Sequence, residues 1–428
     1  MTRALLCGGA RIPFVRSFAE YTELDTIALG VLAVRGALEK AGLRQEDVDA
    51  VIWGGVVLPP TAPNVGREIV LDLGMPARIE ARTVTRACAS GLQAITDAVA
   101  AVERGDADVI IAGGSDSTSN AALTMPESLI RKVGPVVMGK KAGMGAYLGL
   151  ATRLSLTKDL LPRQPRVAER STGQLMGEAA EDMARRHGIT REAQDALAVR
   201  SHQRAFAAWE SGRFDAEVVP VTLPDGRVIS RDTVLRGDTT IEALAKLRPA
   251  FGKKGEGTLT AANSTPLTDG AAAVIVASEA AAARLGLTPL AAVRSWAYVG
   301  VDPADQLLIG PALAMPKALA RAGLELGDID RVDLHEAFAA VVLCVQKALA
   351  SDAFARERLG RDRAVGVIDE ARLNVHGGSV ALGHPFGATG ARLVLTMARE
   401  LHLTGAKTAL LGICAAGGLG AAAVLERV

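Results

Sequence analysis

CASGLQAITDAVAAVERGDADVIIAGG, residues 88–114, and GATGARLVLTMARELHLTGAKTALLGIC, residues 387–414, read as one pattern written twice. Each opens a helical pattern among small residues and reaches a glycine, Gly105 or Gly405, where the helix should stop. A short polar turn and a compact apolar run, VIIAGG or ALLGIC, follow. Glycine just past the last periodic residue is the expected C-cap, because it adopts left-handed backbone at little steric cost. The apolar runs have the length and composition of buried strands. A second pair recurs in the same order, ALEKAGLRQEDVDAVIWGG at 37–55 and ALARAGLELGDIDRVDLHE at 318–336. Two matched pairs in one order mean a duplicated β/α unit. Strands alternating with amphipathic helices predict an α/β fold of mostly parallel sheets covered by helices. The halves should lie side by side about a pseudo-twofold axis, their strand-to-helix turns facing one cleft. The turn near Cys88 is therefore expected to meet residues 384–390.

Composition places the chain among well-buried globular proteins. Of 428 residues, 49% are hydrophobic and 45 are glycine, which excludes a disordered or low-complexity chain. No apolar run is long enough to span a bilayer, and MTRALLCGGARIPFVRS lacks the h-region and cleavage site of a signal peptide. The four cysteines, Cys7, Cys88, Cys344 and Cys414, make neither a disulfide framework nor a zinc pattern. The expectation is a reduced, cytoplasmic protein with no metal and no nucleic-acid partner, whose thiols are core filler or chemistry. The net charge of +1 conceals an asymmetry. Between 128 and 170, nine bases (Arg131, Lys132, Lys140, Lys141, Arg153, Lys158, Arg163, Arg166, Arg170) stand against two acids (Asp159, Glu169), a net +7. Such a block suits an anionic partner, either a phosphate-bearing cofactor or an anionic membrane surface; the alternative is a solvated loop. Residues 119 to about 250 have no counterpart in the second half and read as an insertion, a lobe over the cleft. The domain boundaries expected are 1–118 plus 251–283, 119–250, and 284–428.

The repeated pattern also carries chemistry. Cys88 sits at the mouth of a helix beside Ala87, Ala89 and Gly91. The helix dipole and free N–H groups there favour thiolate, so the thiol pKa is expected to fall. Taken alone, a cysteine in an alanine-rich helix is a small core residue. NVHGGSVALGHPFGATG (374–390) places His376 and His384 in a glycine-rich loop leading into the equivalent helix. CAAGGLG (414–420) puts Cys414 at a strand end, and VDLHEAFAA (332–340) puts His335 and Glu336 at the end of the repeated strand. A Cys–His pair supplies a nucleophile and its base, a second thiol an acid and base at another carbon, and main-chain N–H groups at glycine turns an oxyanion hole.

With GGARIPFVR (8–16), RACASGLQAI (86–95), AGGSDSTSN (112–120), MGEAAEDMA (176–184) and NSTPLTDGAA (263–272) added to these, the chain resembles the thiolase family nearly end to end. That family comprises the 3-ketoacyl-CoA thiolases and acetyl-CoA acetyltransferases. The resemblance implies two related α/β halves in five layers, α-β-α-β-α, with an inserted loop domain, 119–250, that binds coenzyme A. It implies Cys88 as the acylated nucleophile, His384 as its base and Cys414 as proton donor and acceptor at the α-carbon of acetyl-CoA. His335, in HEAF where many thiolases have NEAF, would hold the enolate oxygen together with His384. A second oxyanion hole would use the N–H groups of Cys88 and Ala416. Ala416 stands where glycine is frequent and would be strained if the backbone there needs positive φ. Thr265 stands at a coenzyme A-contacting position, with Ser264 and Met176 as further contacts, and His376 replaces a common Asn, in the site or as support for its loop. No cofactor is implied; coenzyme A is a substrate.

HEAF, DQLLIGPALAMPKAL (305–319) and the long 125–175 segment resemble the thiolase subunit of trifunctional-type fatty-acid oxidation complexes. In that subgroup the region around 128–170 is linked to long acyl chains and membrane contact; the alternative is that it lines the coenzyme A phosphates. The implied activity is CoA-dependent cleavage of 3-ketoacyl-CoA. The alternatives are a short-chain acetyl-CoA acetyltransferase and a non-catalytic thiolase-like scaffold. Family members are homodimers or dimers of dimers, and a hydratase/dehydrogenase partner subunit fits the subgroup.

Overall fold

A computed structural model describes residues 2–138, 143–162, 167–252 and 256–428. The chain forms two compact units, Met1–Asn120 with Ala168–Val428, and Ala121–Val167. The strands are β1 (Ala4–Arg11), β2 (Val15–Arg16), β3 (Ala50–Gly54), β4 (Glu80–Val84), β5 (Val109–Asp116), β6 (Val221–Thr222), β7 (Val228–Ile229), β8 (Thr268–Ser278), β9 (Ala291–Gly300), β10 (Arg331–Leu334), β11 (Thr408–Ala415) and β12 (Leu419–Arg427). The helices that matter for the layers are α1 (Thr26–Ala41), α2 (Val65–Asp72), α3 (Ser90–Arg104), α4 (Glu127–Val137), α5 (Met144–Ala151), α6 (Met176–His187), α7 (Arg191–Glu210), α8 (Pro311–Ala322), α9 (Ala339–Leu349) and α10 (Phe386–Thr404).

The main sheet runs β10-β11-β12-β9-β1-β8-β5-β3-β4, with β2 beside β8. Its order exposes the duplication: β1-β8-β5-β3 mirrors β9-β12-β11-β10, and the halves join where Leu6 pairs Ala291. The expectation of mostly parallel strands is corrected here. β3 is parallel to β4 and β5, and β10 to β11, but every other neighbour along the path is antiparallel. The reason is connectivity. β11 passes to β12 through the tight turn at 416–418, and a tight turn returns the chain antiparallel. β8 follows β5 only after some 150 intervening residues, so no βαβ crossover constrains its direction.

Among the described residues, three of the five buried clusters lie between the layers. α1 and α2 pack Leu29, Val34 and Ile69 against Trp53, Ile111 and Ile275 of the first half. α3 and α10 fill the middle, with Leu92, Val99, Leu393 and Met397 between Val274 on one side and Leu411 and Ala423 on the other. α8, α9 and α6 cover the second half through Met183, Met315, Leu319, Val341 and Val424. Strand alternation serves two cores at once, Leu410 facing the outer one and Leu411 the central one. α10 is buried on every side from Phe386 to Ala398, as a helix apolar all round must be. Gly105 and Gly405 end α3 and α10 at φ 80° and 75°.

The two central helices touch through glycine. A Cβ on Gly91 would lie 2.4 Å from the Gly387 carbonyl oxygen, and one on Gly390 would lie 2.3 Å from the Leu92 nitrogen. The N-terminal ends of α3 and α10 are thereby pressed together, as the repeat predicts.

In the smaller unit α4 and α5 leave Ile130, Val137, Met138, Met144 and Leu148 exposed. Arg131 pairs with Glu127, and Lys132 donates to Asp159 at 2.8 Å. Of the nine bases between 128 and 170, Lys140, Lys141, Arg163 and Arg166 lie outside the described residues. Among the described residues no helix is long and apolar enough to cross a membrane.

Candidate active site

Cys88 lies in the turn from β4 to α3. Ala89 N–H donates to Arg86 O and Ser90 N–H to Ala87 O, each at 3.0 Å. The Ser90 hydroxyl donates to Ala87 O at 2.6 Å and accepts from Arg86 N–H at 2.8 Å. Ala87 takes φ 44°, a conformation that costs a non-glycine residue about 1 kcal/mol and recurs at functional turns. Cys88 is thus held two residues ahead of Ser90, outside the helix rather than in its first turn.

His384 comes from the equivalent turn of the second half. Gly383 precedes it at φ 99°, and a Cβ there would meet the Thr268 side chain at 2.7 Å. The Thr268 hydroxyl accepts the His384 N–H at 2.7 Å. His384 Nδ1 contacts Thr389 Oγ1 at 2.6 Å, and Nε2 contacts Cys88 Sγ at 3.1 Å. His335 follows β10; its N–H donates to Gly412 O at 2.8 Å and its Nδ1 contacts Ser379 Oγ at 3.0 Å. Its ring centroid is 4.2 Å from that of His384, and its buried Nε2 has no partner among the described residues. The donor atoms of Cys88, His335 and His384 lie within 4.8 Å of one another. Among the described residues these three have donor atoms close enough together to hold a soft metal ion.

Two main-chain groups converge on the Cys88 sulfur, the N–H of Ala416 and its own. The Ala416 turn is braced by Glu169, which accepts Gly417 N–H at 3.0 Å. Ala416 does not take positive φ, so the strain expected of an alanine there does not arise. Cys414 ends β11 fully buried, and burial together with the neighbouring Cys88 pushes its thiol up.

The electrostatics correct one expectation. Burial pushes the Cys88 thiol up to about 12, against the pull of the two N–H groups. Loss of water outweighs the dipole because Cys88 precedes the helix instead of capping its first turn. Burial and then the Arg392 charge bring His384 down to about 3, and burial, His384 and Arg392 hold His335 well below its ordinary value. The resting site is therefore a neutral thiol beside two neutral imidazoles.

Several residues to which the sequence assigned no role build this frame. Asp116, at the end of β5, accepts Val56 N–H at 2.9 Å, Val57 N–H at 2.5 Å and Gly387 N–H at 2.6 Å, tying the first half to the start of α10. Burial nevertheless raises its carboxyl to about 7. Glu336 is buried and accepts from Ser201 Oγ at 2.6 Å, Asn374 Nδ2 at 2.7 Å and Val380 N–H at 3.3 Å. Arg392, nearly two turns inside α10, donates to Ser379 Oγ at 3.1 Å and lies 3.6 Å from Asp333. A lone arginine inside the apolar run GARLVLTMA is the one sequence signal that could have found it.

Other candidates sit elsewhere. His376 Nε2 meets Glu400 at 2.8 Å, and its ring packs edge-on to Phe214, so it supports the loop. The Thr265 hydroxyl donates to Ser379 O at 2.7 Å. Ser264 Oγ is buried without a partner among the described residues, and Met176 begins α6 in the outer core.

The thiolase N-terminal domain model matches residues 4–280, and the thiolase C-terminal domain model matches 287–427. The 3-ketoacyl-CoA thiolases of Yersinia pestis (strain Pestoides F) and Yersinia pseudotuberculosis (serotype O:1b) are each 46% identical over 425 residues, covering 99% of this chain and 97% of theirs. The Bacillus anthracis acetyl-CoA acetyltransferase superimposes with a TM-score of 0.85 at 31% identity, over 100% of this chain and 99% of that one. Human mitochondrial 3-ketoacyl-CoA thiolase in complex with CoA gives 0.83 at 30% identity, over 100% and 98%. On the length of these matches and the turns that join Cys88 to His384, the chain belongs to the thiolase family.

Proposed function

We propose that this thiolase is an acyltransferase that cleaves 3-ketoacyl-CoA with coenzyme A, giving acetyl-CoA and a shortened acyl-CoA, as in fatty-acid β-oxidation. The 3.1 Å contact between Cys88 Sγ and His384 Nε2 carries the proposal, with two N–H groups converging on the same sulfur. Cys88 gives its proton to His384 as the sulfur attacks C3 of the substrate. The new alkoxide is received by the N–H groups of Cys88 and Ala416. Its collapse breaks the C2–C3 bond, and the electron pair passes into the enolate of acetyl-CoA. His335 and protonated His384 hold the enolate oxygen while the Cys414 thiol protonates C2. The proton on His384 then returns to Cys414. Coenzyme A next gives its thiol proton to His384, attacks the acyl group and frees Cys88, which takes that proton back.

The resting thiol is neutral, so attack and proton transfer go together, and the base must touch the nucleophile, as it does. Similarity to an acetyl-CoA acetyltransferase supports a second reading, making or cleaving acetoacetyl-CoA. Thiolysis of acetoacetyl-CoA measured beside 3-ketohexadecanoyl-CoA separates the two, the longer substrate being favoured under the leading reading. Cys88→Ser should lower kcat by at least about a thousandfold. Normal turnover by that variant would overturn the covalent assignment.

Family membership further supports a homodimer or dimer of dimers in the cytoplasm, with a hydratase/dehydrogenase partner subunit. Within 119–250, which we take as the coenzyme A-binding insertion, the basic block and the exposed apolar side chains of α4 and α5 support contact of 128–170 with an anionic membrane surface.

A further inference from the structure

The two histidines are chemically alike but differently wired, and the difference lies in the hydroxyl behind each. Ser379 is fully buried, and its Oγ has two neighbours among the described residues, Arg392 Nη2 at 3.1 Å and His335 Nδ1 at 3.0 Å. A guanidinium has donors and no acceptor, so the serine oxygen must accept from Arg392. Among the described residues the serine proton has one acceptor in reach, His335 Nδ1, so a fully used hydroxyl donates there. A neutral imidazole that accepts at Nδ1 carries its own proton on Nε2. Among the described residues that Nε2 is buried and unpartnered, and a ring nitrogen of His335 lies within 4.8 Å of the Cys88 sulfur and of a ring nitrogen of His384. Thr389 is different. Its Oγ1 contacts His384 Nδ1 and, among the described residues, no cation, so His384 is free to donate from Nδ1 and to keep a lone pair on Nε2 for the thiol.

We propose that the buried Arg392–Ser379 pair is a positioning device that locks His335 as an Nε2–H donor, so that two adjacent histidines present opposite tautomers, one accepting the Cys88 proton and one donating to the developing oxyanion. Arg392 suits the task because a guanidinium offers donors and no acceptor. It is buried at 1% exposure, with its nearest carboxylate, Asp333, 3.6 Å away. Its field also disfavours protonation of both rings, and a tautomer is meaningful only in a neutral ring. The catalytic consequence rests on the thiolase reading; the tautomer itself does not.

The test reads the tautomer directly in the substrate-free full chain. Long-range proton–nitrogen NMR of protein labelled with 15N-histidine resolves which nitrogen of each of the six histidines is protonated. His335 is assigned by the signals lost in His335→Asn or His335→Gln. The expected result is a protonated Nε2 and a bare Nδ1 on His335, with the reverse on His384. In Ser379→Ala, His335 should gain a population protonated at Nδ1, and kcat for thiolysis should fall about tenfold while KM for coenzyme A stays within about twofold. Arg392→Lys, which keeps a buried cationic donor, should preserve the tautomer, and Arg392→Met should lose it. A wild-type His335 protonated at Nδ1 overturns the proposal whether or not the variants fold. So does a Ser379→Ala protein with unchanged tautomer and unchanged kcat. An Nε2–H tautomer in a protein without thiolysis would instead refute the functional reading and leave this one standing.

Discussion

Cys88 owes its chemistry to a turn, not to a helix. Ala87 at φ 44° and the Ser90 hydroxyl fold residues 86–90 so that the thiol leaves the axis of α3 and meets His384. Burial there keeps the proton on sulfur, raising the thiol to about 12. The rate of Cys88 alkylation by iodoacetamide should therefore keep rising beyond about pH 9, the range of an ordinary thiol, with no plateau near neutrality. A rate that levels off between about pH 6 and 8 would mean a standing thiolate and a different resting state. The same turn was visible in RACASGLQAI only as a cluster of small residues. Its left-handed alanine was not, because alanine rarely adopts that conformation and nothing local announces it.

At the scale of elements, the site is made by the crossing of α3 and α10. Gly91, Gly387 and Gly390 bring their backbones into contact, and the two preceding turns carry Cys88 and His384. Gly390→Ala should cost about 1–3 kcal/mol through overpacking and should also abolish activity, because any separation of the helices separates Cys88 from His384. Gly105→Ala is the control. It sits at φ 80° with open space around its Cβ, so it should lose about 1 kcal/mol of stability from backbone strain with activity per folded molecule intact. Thermal melts and kcat measured together distinguish the two outcomes. Equal loss of activity in both variants would mean that the crossing plays no special part.

The whole molecule stores a pH dependence in its buried histidines. His202 on α7 is held down to about 4 by burial and by Arg236, and its Nδ1 accepts Arg236 N–H at 3.3 Å. Below about pH 6.5 the unfolded chain takes up a proton that the folded chain refuses, so this group costs stability progressively as pH falls towards 4. Asp116 and Asp333, raised to about 7 by burial, act in the opposite sense, binding protons first in the folded form. His202→Gln leaves those carboxyls in place. Its stability deficit relative to wild type should therefore shrink by on the order of 2 kcal/mol between pH 7.5 and 4.5. Urea titrations at the two pH values measure this, and a constant deficit would contradict the low folded-state pKa of His202.

What the sequence alone determined is whatever is written locally and repeated. The duplicated helix–turn–strand units, the glycine stops at 105 and 405, the buried strands VIIAGG and ALLGIC, and the placing of Cys88, His335, His384 and Cys414 at strand ends or at turns leading into helices all follow from period, caps and order. The tertiary structure decided what depends on residues far apart in the chain. Cys88 and His384 lie 296 positions apart, and whether a thiol between them is charged depends on how much water their meeting excludes. Strand direction was likewise out of reach, since the same apolar run serves a parallel or an antiparallel neighbour. The Arg392–Ser379–His335 chain was hidden for the same reason: a serine in a glycine-rich loop and an arginine in an apolar helix acquire their roles only when burial leaves each hydrogen-bonding group a single partner to choose.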